Sequence, residues 1–241
     1  MPNDYFQFKQ FTVRHGRCAM KVGTDGVLLG AWASAADAKK ILDIGTGSGL
    51  IALMLAQRNP QASVTAIDID ADAILQADEN FEASPFAGRI ACKHIPLADY
   101  ATNTAERFDL IVSNPPFFID SLKSPDNQRS LARHTDSLPM EELIGLSSRL
   151  LTDKGRIALI YPYEQKERMI AAAERNNLSV SRITTVYPIP GSTPKRVLME
   201  LDKTTTLLHN NVLNNNLIIE GQRHVYSGDF VHLIKDFYLR Y

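Results

Sequence analysis

From Lys40 onward the chain alternates short apolar runs with segments whose apolar positions recur every three or four residues. The short runs at 41–43, 64–67, 90–94, 108–113 and 156–160 are rich in β-branched residues and bounded by turn formers, so they predict strands. Between them, 71–82 repeats Ile74, Ala77 and Phe81, and 140–150 repeats Leu143, Leu146 and Leu150, stripes that predict helices with one face in a core. The segment 49–57 is apolar on most sides and predicts a more deeply covered helix. Strands separated by helices imply parallel pairing, because a parallel neighbour is reached only through a crossover, never through a tight turn.

The pattern changes after a further helix at 164–176. Segments 179–187 and 195–201 read as strands, and the loop between them, 188–194, is too short for a crossover, so the pair is expected to be antiparallel. Residues 203–216 are polar and Asn-rich and read as a mobile surface excursion, with a short strand at 217–220 behind it. Phe230, Leu233, Ile234 and Phe237 keep helical spacing after Ser227, a candidate N-cap, and predict a terminal helix docked on the body. Ahead of the first strand, 27–32 reads as an amphipathic segment behind an Asp25-Gly26 turn. The expected organisation is a single domain over 1–241, with extension 1–39, core 40–202 and extension 203–241.

Composition adds mainly exclusions. A formal net charge of −1 denies the chain a bulk attraction to nucleic acid, so such a partner has to meet a local basic patch. Residues 1–36 offer Lys9, Arg14, Arg17 and Lys21 against Asp4 and Asp25, and residues 121–135 offer Lys123, Arg129 and Arg133 against Asp126. Charges this sparse are ordinary solvated surface unless a nucleic-acid site lies beside them. Cys18 and Cys92 are too far apart in sequence for a disulfide framework or a zinc motif, and the six histidines show no ligand spacing, so no metal is expected. His134 reads as surface or as a contact to an RNA backbone. The start of the chain lacks the apolar stretch of a signal peptide, and no long charge-free apolar run occurs, so the reading expects no membrane span and a cytoplasmic place.

Two motifs hold the chemistry. Gly45, Gly47 and Gly49 follow the first strand and open a helix, where missing side chains let a turn pass close to a ligand. A dinucleotide fingerprint needs its last glycine at position 50, which is Leu50, and there is no Gly-Lys-Ser/Thr ending for outer phosphates. A cofactor without phosphates fits better. Asp68 closes the second strand, 25 residues after Asp43, where an acidic side chain accepts hydrogen bonds from a ribose diol. Asp70 starts the next turn and is expected to cap the helix from Ala71, while Asp99, in the loop after the third strand, is a candidate acceptor for an adenine amine.

The second motif, Asn114-Pro115-Pro116-Phe117, follows the fourth strand and therefore reaches the same sheet edge. An amine on an aromatic base is a poor nucleophile because its lone pair is delocalised. The Asn114 side-chain carbonyl and the Pro115 backbone carbonyl are two acceptors that grip the amine hydrogens and turn that pair outward. The prolines remove competing N–H donors and fix the turn, and Phe117 supplies a stacking face worth roughly 1–3 kcal/mol per base.

These features resemble the class I S-adenosylmethionine-dependent methyltransferases, over about residues 40 to 201. The resemblance implies an α/β Rossmann-like fold, a seven-stranded mostly parallel sheet with an antiparallel last strand and helices on both faces. It further implies S-adenosyl-L-methionine as cofactor across the carboxyl ends of the strands, held through Asp43, Gly45, Gly47, Gly49, Asp68 and Asp99, with Asn114 between cofactor and amine. Within that family, Lys21 to Gly26, Leu42 to Leu50 and Asp236 to Leu239 are similar to the bacterial tRNA (adenine-N6)-methyltransferases acting at position 37, beside the anticodon, of tRNA1(Val). That branch implies tRNA as partner, a monomer, and Thr24 and Asp25 over the cofactor's methionine moiety. Phe117 departs from the Tyr of related members, keeping the ring and losing a hydroxyl. Arg14, Arg17, Lys195 and Arg196 are candidate phosphate contacts.

Other amines remain open to the same motif: guanine N2 of ribosomal RNA, adenine N6 of DNA, or a protein glutamine. The glutamine enzymes typically carry a helical domain first, for which the residues before Leu42 leave little room. From other classes, a non-catalytic S-adenosylmethionine-binding module and a dinucleotide oxidoreductase with an irregular turn remain.

Overall fold

The computed structural model describes residues 3–116, 138–203 and 212–241. The five runs that read as strands form β3 (Lys40–Ile44), β4 (Ser63–Asp68), β5 (Ile90–His94), β6 (Phe108–Ser113) and β7 (Leu151–Pro162). With β8 (Leu178–Tyr187), β9 (Arg196–Lys203) and β10 (Leu213–Ile218) they make one sheet in the order β10-β8-β9-β7-β6-β3-β4-β5. Every pairing is parallel except those of β9, which runs opposite to both β7 and β8. The short 188–194 loop therefore does close an antiparallel pair, as expected.

The buried stretches 41–42, 110–112 and 157–160 of the central strands are apolar because both faces of the sheet are covered there. Along β6 and β7, Leu110, Val112, Ala158 and Ile160 join one core, while Ile111, Ile157 and Leu159 join the other. The first core lies under α1 (Thr24–Trp32), α2 (Leu50–Arg58), α3 (Ala71–Glu82) and α7 (Gly228–Ile234). The second lies under α4 (Leu97–Asn103), α5 (Met140–Leu150) and α6 (Lys166–Arg175).

Several expectations need correction. The sheet has eight strands, not seven, because β10 adds in parallel to the edge of β8, pairing Asn214, Asn215 and Asn216 with Ile183, Thr184 and Thr185. Those asparagines are exposed on an edge strand, where the backbone ladder supplies the binding and no described residue covers the side chains. Polarity here marks an uncovered strand rather than an excursion, and residues 204–211 of that stretch lie outside the described residues. The strand expected at 217–220 is divided between β10 and β11 (Glu220–Gln222), which pairs with β12 (Val225–Tyr226).

Segment 27–32 is not amphipathic. Helix α1 begins at Thr24, and Gly26 through Trp32 are all buried, because α2 and α7 pack on it from one side and the sheet from another. At Gly30 a Cβ would lie 2.7 Å from the Met54 sulfur, so the missing side chain sets the close approach of α1 to α2. The far end of α1 is tied to the sheet by Glu200, which is 1% exposed and accepts from Ser34 N at 2.7 Å and Ser34 Oγ at 3.0 Å. Arg182 pairs with Glu200 at 3.6 Å and stacks over the Trp32 ring at 3.9 Å, and Trp32 Nε1 donates to Thr184 Oγ1 at 2.9 Å.

The first residues form a hairpin of β1 (Tyr5–Gln7) and β2 (Thr12–Arg14) that the sequence pattern did not show. It meets the other end of the chain: Phe8 bridges Tyr238, and Lys9 N donates to Phe237 O at 2.8 Å. Helix α7 is capped by Ser227, as expected, and stops at Ile234, yet Phe237 beyond it is still buried.

Candidate active site

Parallel pairing brings Ile44, Ile67 and Ser113 into register, so β3, β4 and β6 end together at one edge of the sheet. The next described helices after the adjacent strands β3 and β6, α2 and α5, pack on opposite faces of the sheet, and such a divergence opens a crevice beyond the strand ends. The glycine turn lines it. Gly45, Gly47 and Gly49 have φ of 69°, 55° and 81°, a left-handed region that favours glycine. Among the described residues a Cβ at Gly45 or Gly47 would meet nothing within 4 Å, so these residues leave the space above the turn open. At Gly49 it would lie 2.4 Å from the Phe81 ring, so that glycine serves the packing of α2 against α3.

Thr46 Oγ1 donates to Asp43 Oδ2 at 2.7 Å, which holds the turn over the end of β3. Asp43 is fully buried, and this burial pushes its carboxyl up to about 7; Thr46 and the Ala52 N–H oppose the shift, and Asp68 adds to it. Its Oδ1 accepts no hydrogen bond among the described residues. Asp68 is half-buried, accepting from Gly47 N at 2.8 Å through Oδ2 and from Asp70 N at 3.0 Å through Oδ1. Each oxygen keeps a second lone pair for a ligand hydroxyl. Asp70 caps α3 by accepting from Asp72 N and Ala73 N, as expected. Asp99 is not in a loop: it sits exposed in the first turn of α4, a short helix whose apolar pattern is too weak to read.

Asn114 and Pro115 leave β6 at the same edge, Asn114 half-buried and Pro115 buried. A Cβ on Gly26 would come within 4.0 Å of Asn114 Nδ2 and 2.9 Å of Leu50 Cδ2, so the start of α1 lies against both motifs. Thr24 and Asp25 thus belong to a helical turn beside Asn114, and Arg196 Nε donates to Asp25 Oδ2 at 2.8 Å. Phe117, with Lys123, Arg129, Arg133 and His134, lies outside the described residues.

The open space above Gly45 and Gly47, together with the orphaned acceptor on Asp43, fits a cofactor that carries a ribose diol and an N–H donor. Among the described residues no group of acidic, His or Cys side chains is placed to hold a metal ion, and no helix is long and apolar enough to cross a membrane.

Three participants carried no sequence signal. Asn80, 2% exposed, donates to Ser48 O at 2.9 Å and to Arg14 O at 2.8 Å and accepts from Arg14 N at 2.9 Å, joining α3, the glycine turn and β2. Burial pushes the Cys18 thiol up to about 11, and the charges of Asp68 and Asp70 add to the shift. The Asp25–Arg196 pair spans positions too distant for any local spacing rule.

Residues 19–187 match the family model described as the methyltransferase small domain. A protein of Parabacteroides distasonis named tRNA1(Val) (adenine(37)-N6)-methyltransferase is 54% identical over 240 residues, covering 100% of both chains. A protein of the same name from Trichodesmium erythraeum is 47% identical over 243 residues, again covering 100% of both. Among solved structures, a predicted O-methyltransferase from Agrobacterium tumefaciens superposes with a TM-score of 0.68 at 21% identity, covering 88% of this chain and 96% of that one. TrmN from Thermus thermophilus gives a TM-score of 0.55 at 23% identity, covering 79% of this chain and 52% of that one. At such identities the superpositions speak for the fold alone.

Proposed function

The chain belongs to the methyltransferase small domain family, and on that premise we propose that it methylates N6 of adenosine 37, beside the anticodon, in tRNA1(Val), with S-adenosylmethionine as donor. The observation that carries the reading is the convergence of the glycine turn and Asn114 at one sheet edge, in a chain matched end to end by relatives of that name.

S-adenosylmethionine supplies, when bound, a methyl group made electrophilic by a positively charged sulfur. The protein's own residues do the rest. Gly45 and Gly47 leave room for the ligand backbone, Asp68 accepts from the ribose hydroxyls, and the free oxygen of Asp43 accepts from an N–H donor. The turn of Thr24, Asp25 and Gly26 is assigned to the methionine end through Gly26, its residue facing Leu50 and Asn114, and Asp99 to the adenine amine. Asn114 and Pro115 accept the two N6 hydrogens, so the lone pair is held out of conjugation with the ring, and Phe117 stacks on the base. Fixing donor and amine in line is the type of positioning that supplies about 7–11 kcal/mol without a metal or a covalent adduct. We also assign a single domain over 1–241, a monomer and a cytoplasmic place to the protein.

Methylation of total tRNA in vitro, followed by mass spectrometry of the digest and mapping of the modified nucleoside, tests the proposal. N6-methyladenosine at position 37, lost when that adenosine is replaced by guanosine, is the expected result. Label in guanine N2, in DNA or in a protein amide instead sends the same site to a rival amine.

A further inference from the structure

Helical geometry puts Thr24, Asp25 and Leu28 on one side of α1 and Gly26 on the other, the side that meets Leu50 and Asn114. On the first side is a cavity of about 360 Å³ between α1 and the ends of β8 and β9. Thr24 and Asp25 line it at the foot of α1, its apolar walls are Leu28, Val186, Pro188 and Ile219, and its cations are Lys195 and Arg196. The methyl-transfer chemistry uses none of the last six.

The two kinds of lining residue suit the two halves of a nucleotide. Apolar walls cover a base or sugar face, and ammonium and guanidinium groups receive a phosphate. The volume is at the lower end of the range of about 300–1,000 Å³ typical of small-ligand sites, enough for one nucleotide and too small for a folded RNA element. Lys195 is held at the rim by its backbone, its N–H donating to Val186 O at 2.9 Å and its carbonyl accepting from Tyr163 N at 3.2 Å, while its side chain is exposed. Arg196 is oriented by Asp25 at 2.8 Å, so one wall of the cavity and the turn beside Asn114 are mechanically joined. A base taken out of its stack leaves its neighbours uncovered, and a second receptive surface one helical wall away from Asn114 is where such a neighbour can be received.

We propose that the cavity lined by Leu28, Val186, Pro188, Ile219, Lys195 and Arg196 is a subsite for one nucleotide flanking the target adenosine of the RNA. The inference rests on the proposed function. It separates Lys195 and Arg196, which line the cavity, from Arg17, which lies against α3 through Glu79 and does not line it.

Two variants of the full chain test it. Lys195→Ala removes one cation from an exposed position, and Ile219→Trp fills the cavity. Lys195→Ala is expected to raise the KM for tRNA about fivefold at physiological salt and to reduce the salt slope of log KM by about one. Ile219→Trp is expected to raise the same KM with the salt slope unchanged. Both keep the S-adenosylmethionine Kd of the wild type by calorimetry. Unchanged tRNA KM and slope in both variants, or a weakened S-adenosylmethionine Kd in both, overturns the subsite. Adenosine 5′-monophosphate serves as the free-nucleotide probe: feeble competition with tRNA supports an RNA subsite. Tight binding that Lys195→Ala abolishes while tRNA KM stays put overturns it. A wild-type protein that methylates other RNA but not tRNA fails the functional reading alone, and one inert on every RNA fails both.

Discussion

Asn114 stands at the end of β6 with its amide against the first turn of α1, and alanine there removes an acceptor without touching the glycine turn. Removal of one preorganised hydrogen-bonding group of this kind costs about 10²–10³ in kcat. Asn114→Ala is therefore expected to lose that much in single-turnover methylation while S-adenosylmethionine affinity by calorimetry stays close to wild type; equal loss in both measurements removes Asn114 from its role. Asp43 makes a second prediction. Its folded-state pKa of about 7, set chiefly by burial, lies above the usual 3.8, so the folded protein holds this proton more tightly than the unfolded chain. The stabilisation is complete below pH about 4 and declines as pH rises to about 7, above which it is gone. Asp43→Asn, uncharged at every pH, is expected to flatten that decline, so the Tm of the wild type falls relative to that of the variant from acid toward neutral pH; parallel Tm curves contradict it.

Within the elements, the three glycines of one turn do different work. Gly47→Ala introduces a left-handed alanine into open space, costing about 1–2 kcal/mol of strain, and occupies room the ligand needs. Gly49→Ala adds a collision with Phe81 to the same strain. Thermal melts with and without S-adenosylmethionine should show a small Tm loss and a weakened ligand shift for Gly47→Ala, and a larger Tm loss for Gly49→Ala. The reverse ranking contradicts the division of labour. The sheet centre was readable in the sequence because β6 and β7 are covered on both faces and carry the apolar runs Leu110 to Val112 and Ile157 to Ile160. Elements whose surroundings erase that signal were not: α1 is buried on every side and loses its period, β10 is an uncovered edge of asparagines, and α4 is seven residues long. Asp43, Gly45, Gly47, Asp68 and Asn114 were readable because strand ends put contiguous motifs at one edge. Asn80 and the Asp25–Arg196 pair were not, since only the folded chain brings their partners within reach.

At the scale of the whole molecule, the first hairpin and the last turn form one aromatic cluster. Phe6 stands 4.7 Å from Phe8 and 5.5 Å from Tyr238, and Phe8 stands 5.9 Å from Tyr238. Aromatic pairs of this type contribute about 0.5–1.5 kcal/mol beyond their burial, so a urea double-mutant cycle on Phe8→Ala and Tyr238→Ala should return a coupling in that range. Additive losses would mean the two segments dock independently. The cluster also fixes an order of events in synthesis. Phe8 precedes Tyr238 by 230 residues, so the growing chain carries the N-terminal side of the cluster unmatched until Tyr238 has been added. A chain that lacks the Tyr238 ring leaves Phe6 and Phe8 without that partner, the type of uncovered apolar surface on which aggregation starts.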